Sequence, residues 1–194
     1  LRSTGKRAIG TEIRIVDDSD RDLPQGEIGE IVLRSPHISV GYHNLPHESA
    51  ETYRGGWLHT GDLGRFDEDG YLYIVDRKKD MIISGGFNIY SREVEMHLDS
   101  HPAVLESAVI GLPDEKWGEV CTAFVVFRDG VPQPQAKALV EHCVTEGLAK
   151  YKTPKLFVFI DGLPKNENNK IIKKKLKEMD LSAPKGIKVV RTGH

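Results

Sequence analysis

The first third of the chain alternates apolar and polar residues with the two-residue period of β-strands. This period recurs in four segments, 11–16, 27–34, 57–66 and 71–75. Because successive side chains of a strand point to opposite faces, the pattern predicts half-buried strands. An Asp-Gly pair at the end of 67–70 favours a hairpin between the last two. We predict a β-rich unit, a small barrel-like or bent sheet, with one short helix over 46–53 that has Pro46 in its first turn.

The pattern changes after five consecutive charged residues at 76–80. Strands are predicted at 81–84, 104–111, 119–127 and 156–160, and helices at 91–101, 134–150 and 170–179. Ser91 is a candidate cap for the first of these helices, and Glu93 suits its positive end. An apolar stripe with helical spacing supports the second helix. The fold class is therefore α+β: a β-rich subdomain followed by a domain with a small central sheet flanked by helices.

Composition limits the classes of function. The 194 residues are 39% hydrophobic with a net charge of −2, which allows a core and gives no support to nucleic-acid binding. Cys121 and Cys143 lie in apolar patterns, which favours buried reduced thiols, although a disulfide stays open. No membrane-spanning run or signal peptide is present, so we expect a cytoplasmic protein. His97 and His101 lack a third metal ligand, which favours two surface histidines.

Two turn-borne polar residues flank the predicted hairpin. Asp62 ends Thr60-Gly61-Asp62, and taken alone it is more often a turn residue than a ligand group. Its functional interpretation is a carboxylate that accepts hydrogen bonds from ribose hydroxyls. Arg77 lies across the hairpin, where it is either a solvated charge or a planar donor to ribose or phosphate oxygens.

Three further positions could carry chemistry. Gly85 and Gly86 form either a simple turn or a place where a ligand approaches the backbone closely. Asn88 contacts a nucleotide or satisfies local backbone groups. Lys170 follows a polar loop and precedes four lysines that we interpret as a solvated helix face. A mobile ammonium at Lys170 could offset charge on a phosphoryl group.

Four short sequence motifs of the chain resemble those of one protein family. The chain reads Trp-Leu-His-Thr-Gly-Asp at 57–62, Asp-Arg-Lys-Lys-Asp at 76–80, Gly-Gly-Phe-Asn at 85–88, and Pro-Lys-Asn at 164–166 before Lys170. With these motifs it resembles the C-terminal part of an AMP-forming acyl-CoA synthetase, within the adenylate-forming superfamily of acid–CoA ligases, luciferases and peptide-synthetase adenylation domains. The resemblance covers nearly the whole chain.

The resemblance implies roles for the residues singled out. Asp62 would bind the ribose hydroxyls of ATP or AMP, and Arg77 would contact the same nucleotide. Lys170 would be the catalytic lysine of acyl-AMP formation. Asn88 would lie near the nucleotide during thioester formation.

The resemblance also implies a division into moving parts. Residues 1–76 would close the large N-terminal domain, 77–79 would be a hinge centred on Lys79, and 80–194 would be a mobile lid domain. After acyl-AMP forms, this lid would rotate, remove Lys170 and present Gly85 and Gly86 to the pantetheine arm of CoA.

The implied ligands are ATP or AMP, Mg²⁺ and CoA, bound by the full-length enzyme, with no metal ligand in this chain. The implied partners are the N-terminal domain and a fatty or aryl carboxylic acid. If the acid is a fatty acid, the enzyme belongs to fatty acid metabolism.

The sequence has no initiator Met, which favours a piece of a larger protein that is inactive on its own. The chain has Asn168-Asn169 where the family commonly has Thr-Gly. Alternatives are a non-catalytic lid module or a peptide-synthetase adenylation fragment that serves a carrier protein.

Overall fold

Two separate sheets organise the chain, one in each of two compact units. The computed structural model describes residues 3–181 and 188–192. The units are Leu1–Lys79 and Asp80–His194, called here the N-terminal unit and the C-terminal unit. None of the helices in the described ranges is long and apolar enough to cross a membrane.

The N-terminal unit is built on a four-stranded antiparallel meander. Its elements are β1 (Glu12–Val16), β2 (Gly29–Arg34), α1 (Pro46–Thr52), β3 (Leu58–Phe66) and β4 (Leu72–Arg77), with 3₁₀ turns at Arg54–Gly56 and Lys78–Asp80. The strand order is β1-β2-β3-β4. Ile15, Ile31 and Leu72 form its buried apolar cluster.

This sheet is open and bent, not closed into a barrel. Bulges interrupt the ladder between Glu30 and Val32 and between Leu63 and Gly64. Bulges bend a strand, but a barrel closes only when the first and last strands pair. Among the described residues β1 and β4 each have one neighbouring strand, so the bent-sheet alternative describes this unit.

In its described residues, the C-terminal unit contains a six-stranded sheet, three α-helices and a 3₁₀ turn at Lys150–Lys152. Its elements are β5 (Ile82–Ser84), β6 (Phe87–Ile89), α2 (Ser91–Asp99), β7 (Val104–Asp114), β8 (Gly118–Phe127), α3 (Ala136–Thr145), β9 (Leu156–Phe159), α4 (Lys173–Lys177) and β10 (Lys188–Arg191). The strand order is β10-β9-β8-β5-β6, and β7 also pairs with β8. Only β8 and β9 run parallel among the described pairs, and α3 connects them. The predicted α+β class is confirmed.

Both faces of β8 are buried. Its residues Ala123 and Val125 join a cluster with α2 and α3, whereas Phe124 and Val126 join a cluster with α4. A strand covered on both faces reads as a nearly continuous apolar run, which explains the pattern at 120–127, where Thr122 is the one polar residue.

Several element bounds differ from the sequence-based prediction. Tyr90 occupies the N-cap of α2, so Ser91 is its first helical residue and not its cap. The helix predicted over 134–150 covers only Ala136–Thr145, because the chain turns at Gly147, where φ is +103°. The helix predicted over 170–179 is the five-residue α4, and the strands β6 and β10 were not predicted.

Candidate functional site

Asp62 and Arg77 face each other across the β3–β4 ladder. They are directly paired in register, and Arg77 Nε lies 2.7 Å from Asp62 Oδ1. The Asp62 side chain is 24% exposed and that of Arg77 is 59% exposed. One carboxylate oxygen of Asp62 is therefore bound by Arg77, while other polar atoms of both side chains stay accessible to a ligand.

The turn before Asp62 is fixed by hydrogen bonds. Thr60 Oγ1 donates to the Ile31 carbonyl at 2.8 Å and accepts the Asp62 N–H at 3.0 Å. Gly61 has a φ of +68°, and a Cβ there would meet no atom within 4 Å. Glycine is thus needed for backbone conformation and not for space. The Gly61 N–H donates to Glu30 Oε1 at 3.2 Å.

A buried carboxylate, Glu30, lies beneath this turn. Its side chain is 5% exposed, and Oε2 accepts from Lys78 Nζ at 3.0 Å. His59 Nδ1 lies 3.5 Å and Arg54 Nη2 3.7 Å from the same oxygen. Burial works to raise the pKa of Glu30, but Lys78, the Gly61 N–H and His59 together outweigh it and lower that pKa. The alternation of apolar and polar residues in β2 did not predict this cluster of charged residues.

An open cavity of about 400 Å³ adjoins the Asp62 turn. It is lined by Thr60, Gly61, Arg77, Lys78 and Lys79. Three of the five lining residues are cationic, so the cavity suits an anionic ligand. Lys79 is exposed and is the last residue of the N-terminal unit, within the 3₁₀ turn that follows β4. Its role as a hinge stays a prediction.

Gly85 and Gly86 form the two-residue turn of the β5–β6 hairpin. Their φ angles are +58° and +83°, the left-handed conformation that such turns require. A Cβ on Gly85 would lie 2.8 Å from Trp117 Cε3, whereas one on Gly86 would meet nothing. The Gly85 N–H also donates to the Trp117 carbonyl at 2.8 Å. The contact with Trp117 was missed, because the two residues are far apart in sequence.

Asn88 lies on the exposed part of β6, beside the glycine turn. It pairs in register with Ile83 of β5, and both residues are exposed. Next to it, the 57% exposed Phe87 packs against Tyr151 with ring centroids 5.0 Å apart. The hairpin thus collects Gly85, Gly86 and Asn88 on one small exposed element.

Lys170 ends a tight turn that is organised by Asn166. The Asn166 carboxamide oxygen accepts the N–H groups of Asn168 at 3.0 Å and Lys170 at 2.9 Å. The Asn166 N–H donates to the Lys170 carbonyl at 2.9 Å. Asn169 has a φ of +60°, the left-handed conformation that Asn tolerates better than most residues. The turn therefore forms with Asn at the position where the family commonly has Gly.

Lys170 is exposed, and its ammonium has no carboxylate within salt-bridge distance in the described ranges. The predicted helix start at Lys170 is wrong, because its backbone groups are used in the Asn166 turn and α4 begins at Lys173. The solvated interpretation is also wrong for Lys173, whose Nζ lies 2.7 Å from the buried Glu95 Oε1.

The cysteines and histidines carry no metal site in the described part of the chain. Cys121 and Cys143 are free and buried, as favoured, and burial raises the pKa of each thiol to about 12. His97 and His101 are half-buried and not surface residues. The His101 ring packs edge-on against His142 at 4.9 Å, and burial and His142 together lower the pKa of His101.

Comparison with known proteins matches residues 93–170 to the family described as AMP-binding enzyme C-terminal domain. A medium/long-chain-fatty-acid–CoA ligase of Mycobacterium tuberculosis is 44% identical over 169 residues, 84% of this chain and 30% of that protein. A fatty acid–[acyl-carrier-protein] ligase of Streptomyces coeruleorubidus is 42% identical over 178 residues, 92% of this chain and 34% of that protein.

Solved structures give the same result. The o-succinylbenzoate CoA synthetase from Bacillus subtilis, in complex with its acyl-adenylate intermediate, superposes with a TM-score of 0.84 and 42% identity. The match covers 95% of this chain and 36% of that one. The chain spans about a third of the length of the relatives it matches. Residues 93–170 therefore match the C-terminal domain of AMP-binding enzymes, and most of the chain is similar to acid–CoA ligases.

Proposed function

We propose that this chain is the C-terminal part of an ATP-dependent acid–CoA ligase. In the first half-reaction a carboxylate attacks the α-phosphate of ATP and gives acyl-AMP and pyrophosphate. In the second, the thiol of CoA attacks the acyl carbon and displaces AMP. The observation that carries the proposal is the Asp62–Arg77 pair, which presents a partly exposed carboxylate beside a cationic cavity.

Asp62 and Arg77 bind the nucleotide in this proposal. The Asp62 carboxylate accepts hydrogen bonds from the two ribose hydroxyls, a role that acidic residues play in other nucleotide sites. The Arg77 guanidinium keeps further N–H donors for ribose or phosphate oxygens. Support comes from the hydrogen bonds of Thr60 and Gly61, which fix the Asp62 backbone before any ligand arrives.

Lys170 supplies the positive charge for the first half-reaction. Negative charge spreads over the phosphoryl oxygens as the α-phosphate is attacked, and a positioned ammonium stabilises that charge. The exposed ammonium on the Asn166 turn, which no carboxylate of the described ranges reaches, supports this role. A lysine already neutralised by a carboxylate could not serve in the same way.

Lys79 is the hinge of the proposed enzyme. Residues 1–76 complete the N-terminal domain, 77–79 change conformation, and 80–194 rotate as the lid. Rotation replaces Lys170 with Gly85 and Gly86 beside the pantetheine arm of CoA, and Asn88 then lies near the nucleotide. The division into units at Lys79 and Asp80 is compatible with this boundary.

The remaining ligands and setting follow from the same assignment. We assign Mg²⁺ a place with the phosphates of ATP, with its protein ligands supplied by the rest of the same protein. The acid is a fatty or aryl acid, and the partner is the rest of the same protein. We assign the enzyme to the cytoplasm and, for a fatty substrate, to fatty acid metabolism.

The test uses the full-length protein with α-labelled ATP, CoA and a panel of fatty and aryl acids. We expect acid-dependent release of AMP and pyrophosphate in equal amounts, together with a thioester. Release of ADP, or no acid-dependent turnover with the whole panel, would overturn the proposal. Asp62→Asn should raise the KM for ATP, while Asp69→Asn, at an exposed position in the turn between β3 and β4, serves as a charge-matched control.

A second acceptor is a carrier protein whose pantetheine thiol replaces CoA. One relative at 42% identity is named for transfer to an acyl carrier protein, which is close to the identity of the CoA ligase relative. Both acceptors present the same thiol chemistry. Acyl transfer to a phosphopantetheinylated carrier protein, with no transfer to CoA, would favour this second function.

A further inference from the structure

The turn that carries Lys170 is held at both ends by ion pairs to the body of the C-terminal unit. Before the turn, Lys165 Nζ lies 2.6 Å from Glu106 Oε2, with side-chain exposures of 30% and 25%. Glu106 belongs to β7. Lys165 also forms a backbone β-bridge with Ile171 on the other side of the turn. The ion pair of Lys165 therefore restrains both arms of the loop.

The second ion pair follows the turn and is more deeply buried. Lys173 Nζ lies 2.7 Å from Glu95 Oε1 and donates to Ser91 Oγ at 2.7 Å. The two charged side chains are 19% and 9% exposed. Glu95 Oε1 also accepts the Val109 N–H at 2.9 Å, so the carboxylate links α4 to both α2 and β7.

Apolar contacts place the loop but do not fix its orientation. Leu163, before the loop, and Leu176 of α4 are buried in the cluster that covers one face of β8. These contacts are non-directional, whereas charge-assisted hydrogen bonds have defined distances and angles. The ion pairs therefore supply the angular restraint on the segment between them.

The lysines on this segment also differ in whether a carboxylate neutralises them. Lys165 and Lys173 are paired with carboxylates, while Lys170 between them has no carboxylate within ion-pair distance among the residues that the structure describes. A phosphate near the turn would consequently meet the Lys170 ammonium on a backbone that the Asn166 hydrogen bonds fix. Without the carboxylates, two more lysines would compete for the same anion.

We propose that the Lys165–Glu106 and Lys173–Glu95 pairs position Lys170 for acyl-AMP formation. All four are positioning residues, since they act through Lys170. The inference rests on the proposed function of Lys170 and predicts a specific defect. Loss of either pair should slow acyl-AMP formation and spare thioester formation, in which Lys170 takes no part. Because small misplacements of a catalytic group are costly, we expect a loss of about 10-fold to 100-fold.

The experiment compares single variants of the full-length protein in the two half-reactions measured separately. Glu95→Gln keeps an acceptor for Val109 and removes the charge that holds Lys173. Lys165→Met tests the other pair at a more exposed position, where folding is not at stake. Acid-dependent ATP–pyrophosphate exchange should fall in both variants, while thioester formation from supplied acyl-AMP should stay close to that of the unchanged protein, because that step does not use Lys170.

Matched controls separate positioning from general damage. Lys174→Met removes the same charge from the exposed side of α4 and should change neither half-reaction, since Lys174 is 84% exposed. Lys173→Arg keeps a cation that can reach Glu95 and should therefore retain more of the exchange rate than Glu95→Gln does. An equal loss in both half-reactions, or no loss in Glu95→Gln and Lys165→Met, would overturn the inference.

Lys170→Ala is measured in parallel. It distinguishes failure of the proposed function of Lys170 from failure of the inference that the ion pairs position it. If Lys170→Ala leaves exchange unchanged, the proposed function of Lys170 fails. If Lys170→Ala abolishes exchange while the variants of the ion pairs are normal, only the positioning inference fails.

Discussion

The carboxylate of Glu30 and the ammonium of Lys78 form a 3.0 Å ion pair that connects the centre of the N-terminal sheet to the turn after its last strand. Lys78 also pairs with the exposed Asp18 at 2.8 Å. The other Glu30 oxygen holds the Gly61 N–H. One buried side chain therefore supports both the turn that carries Asp62 and Lys78, which lies within the proposed hinge at 77–79.

Lys78→Met should destabilise the N-terminal unit. The substitution leaves the buried Glu30 carboxylate without its Lys78 partner. Removing one partner of such an ion pair lowers the free energy of unfolding by about 2 kcal/mol or more. Denaturation by guanidinium chloride, followed by the fluorescence of Trp57 in a Trp117→Phe background, measures the free energy of unfolding. Asp18→Asn, which touches the same ammonium from the solvent side, should change it by less than about 0.5 kcal/mol. Equal effects of the two variants would contradict the buried role of Glu30.

Acid should weaken the N-terminal unit through Glu30. Its folded-state pKa is lowered from the ordinary value of 4.5, so its contribution to stability is present above pH 4.5. That contribution is lost as the pH falls through the lowered pKa, because the unfolded state binds the proton first. The free energy of unfolding of the Glu30→Gln variant should therefore depend less on pH below 4.5. Identical slopes for the two proteins would contradict this.

Gly85→Ala should be more harmful than Gly86→Ala. Both positions need a left-handed backbone, which costs a residue with a Cβ about 1–2 kcal/mol. Only at Gly85 does the added methyl also meet the Trp117 ring, and overpacking adds about 1–3 kcal/mol. Thermal unfolding measures the difference. Adding Trp117→Leu should recover part of the Gly85→Ala loss and none of the Gly86→Ala loss.

Asn169→Gly should preserve the Lys170 turn, and Asn169→Ala should weaken it. The φ of +60° suits Gly and Asn, whereas Ala there costs about 1 kcal/mol or more. In the full-length protein the exchange reaction should follow the same order, with Gly equal to Asn and Ala slower. A faster Ala variant would show that the left-handed conformation is not required.

Cys121 and Cys143 should resist alkylation in the folded chain. Burial raises the pKa of each thiol to about 12, and only the thiolate reacts quickly. Iodoacetamide at pH 8 should modify neither residue until denaturant is added, as read by mass spectrometry. Rapid modification of either cysteine in the native chain would contradict its burial.

The local pattern predicted the elements better than it predicted their contacts. The hairpin around 67–70 and the turn at Gly85-Gly86 follow from adjacent residues, because turn chemistry is local. The Trp117 ring over Gly85, the Glu30 cluster and the Lys173–Glu95 pair depend on residues 24 to 78 positions apart. Periodicity carries no information about such pairs. Lys173 was misread for this reason, since a lysine run looks solvated until the fold supplies a buried carboxylate.

The strand order of the two sheets implies that they form on different timescales. In the N-terminal sheet every strand pairs with its sequence neighbour, so each contact closes a comparatively short loop. In the C-terminal sheet Ser84 pairs with Gly118, and β8 and β9 pair in parallel only after α3 has crossed between them. Because closing longer loops costs more entropy and slows folding, we expect the N-terminal meander to form first. As the chain leaves the ribosome, the strand that carries Asp62 would then be in place before the turn that carries Lys170 has been synthesised.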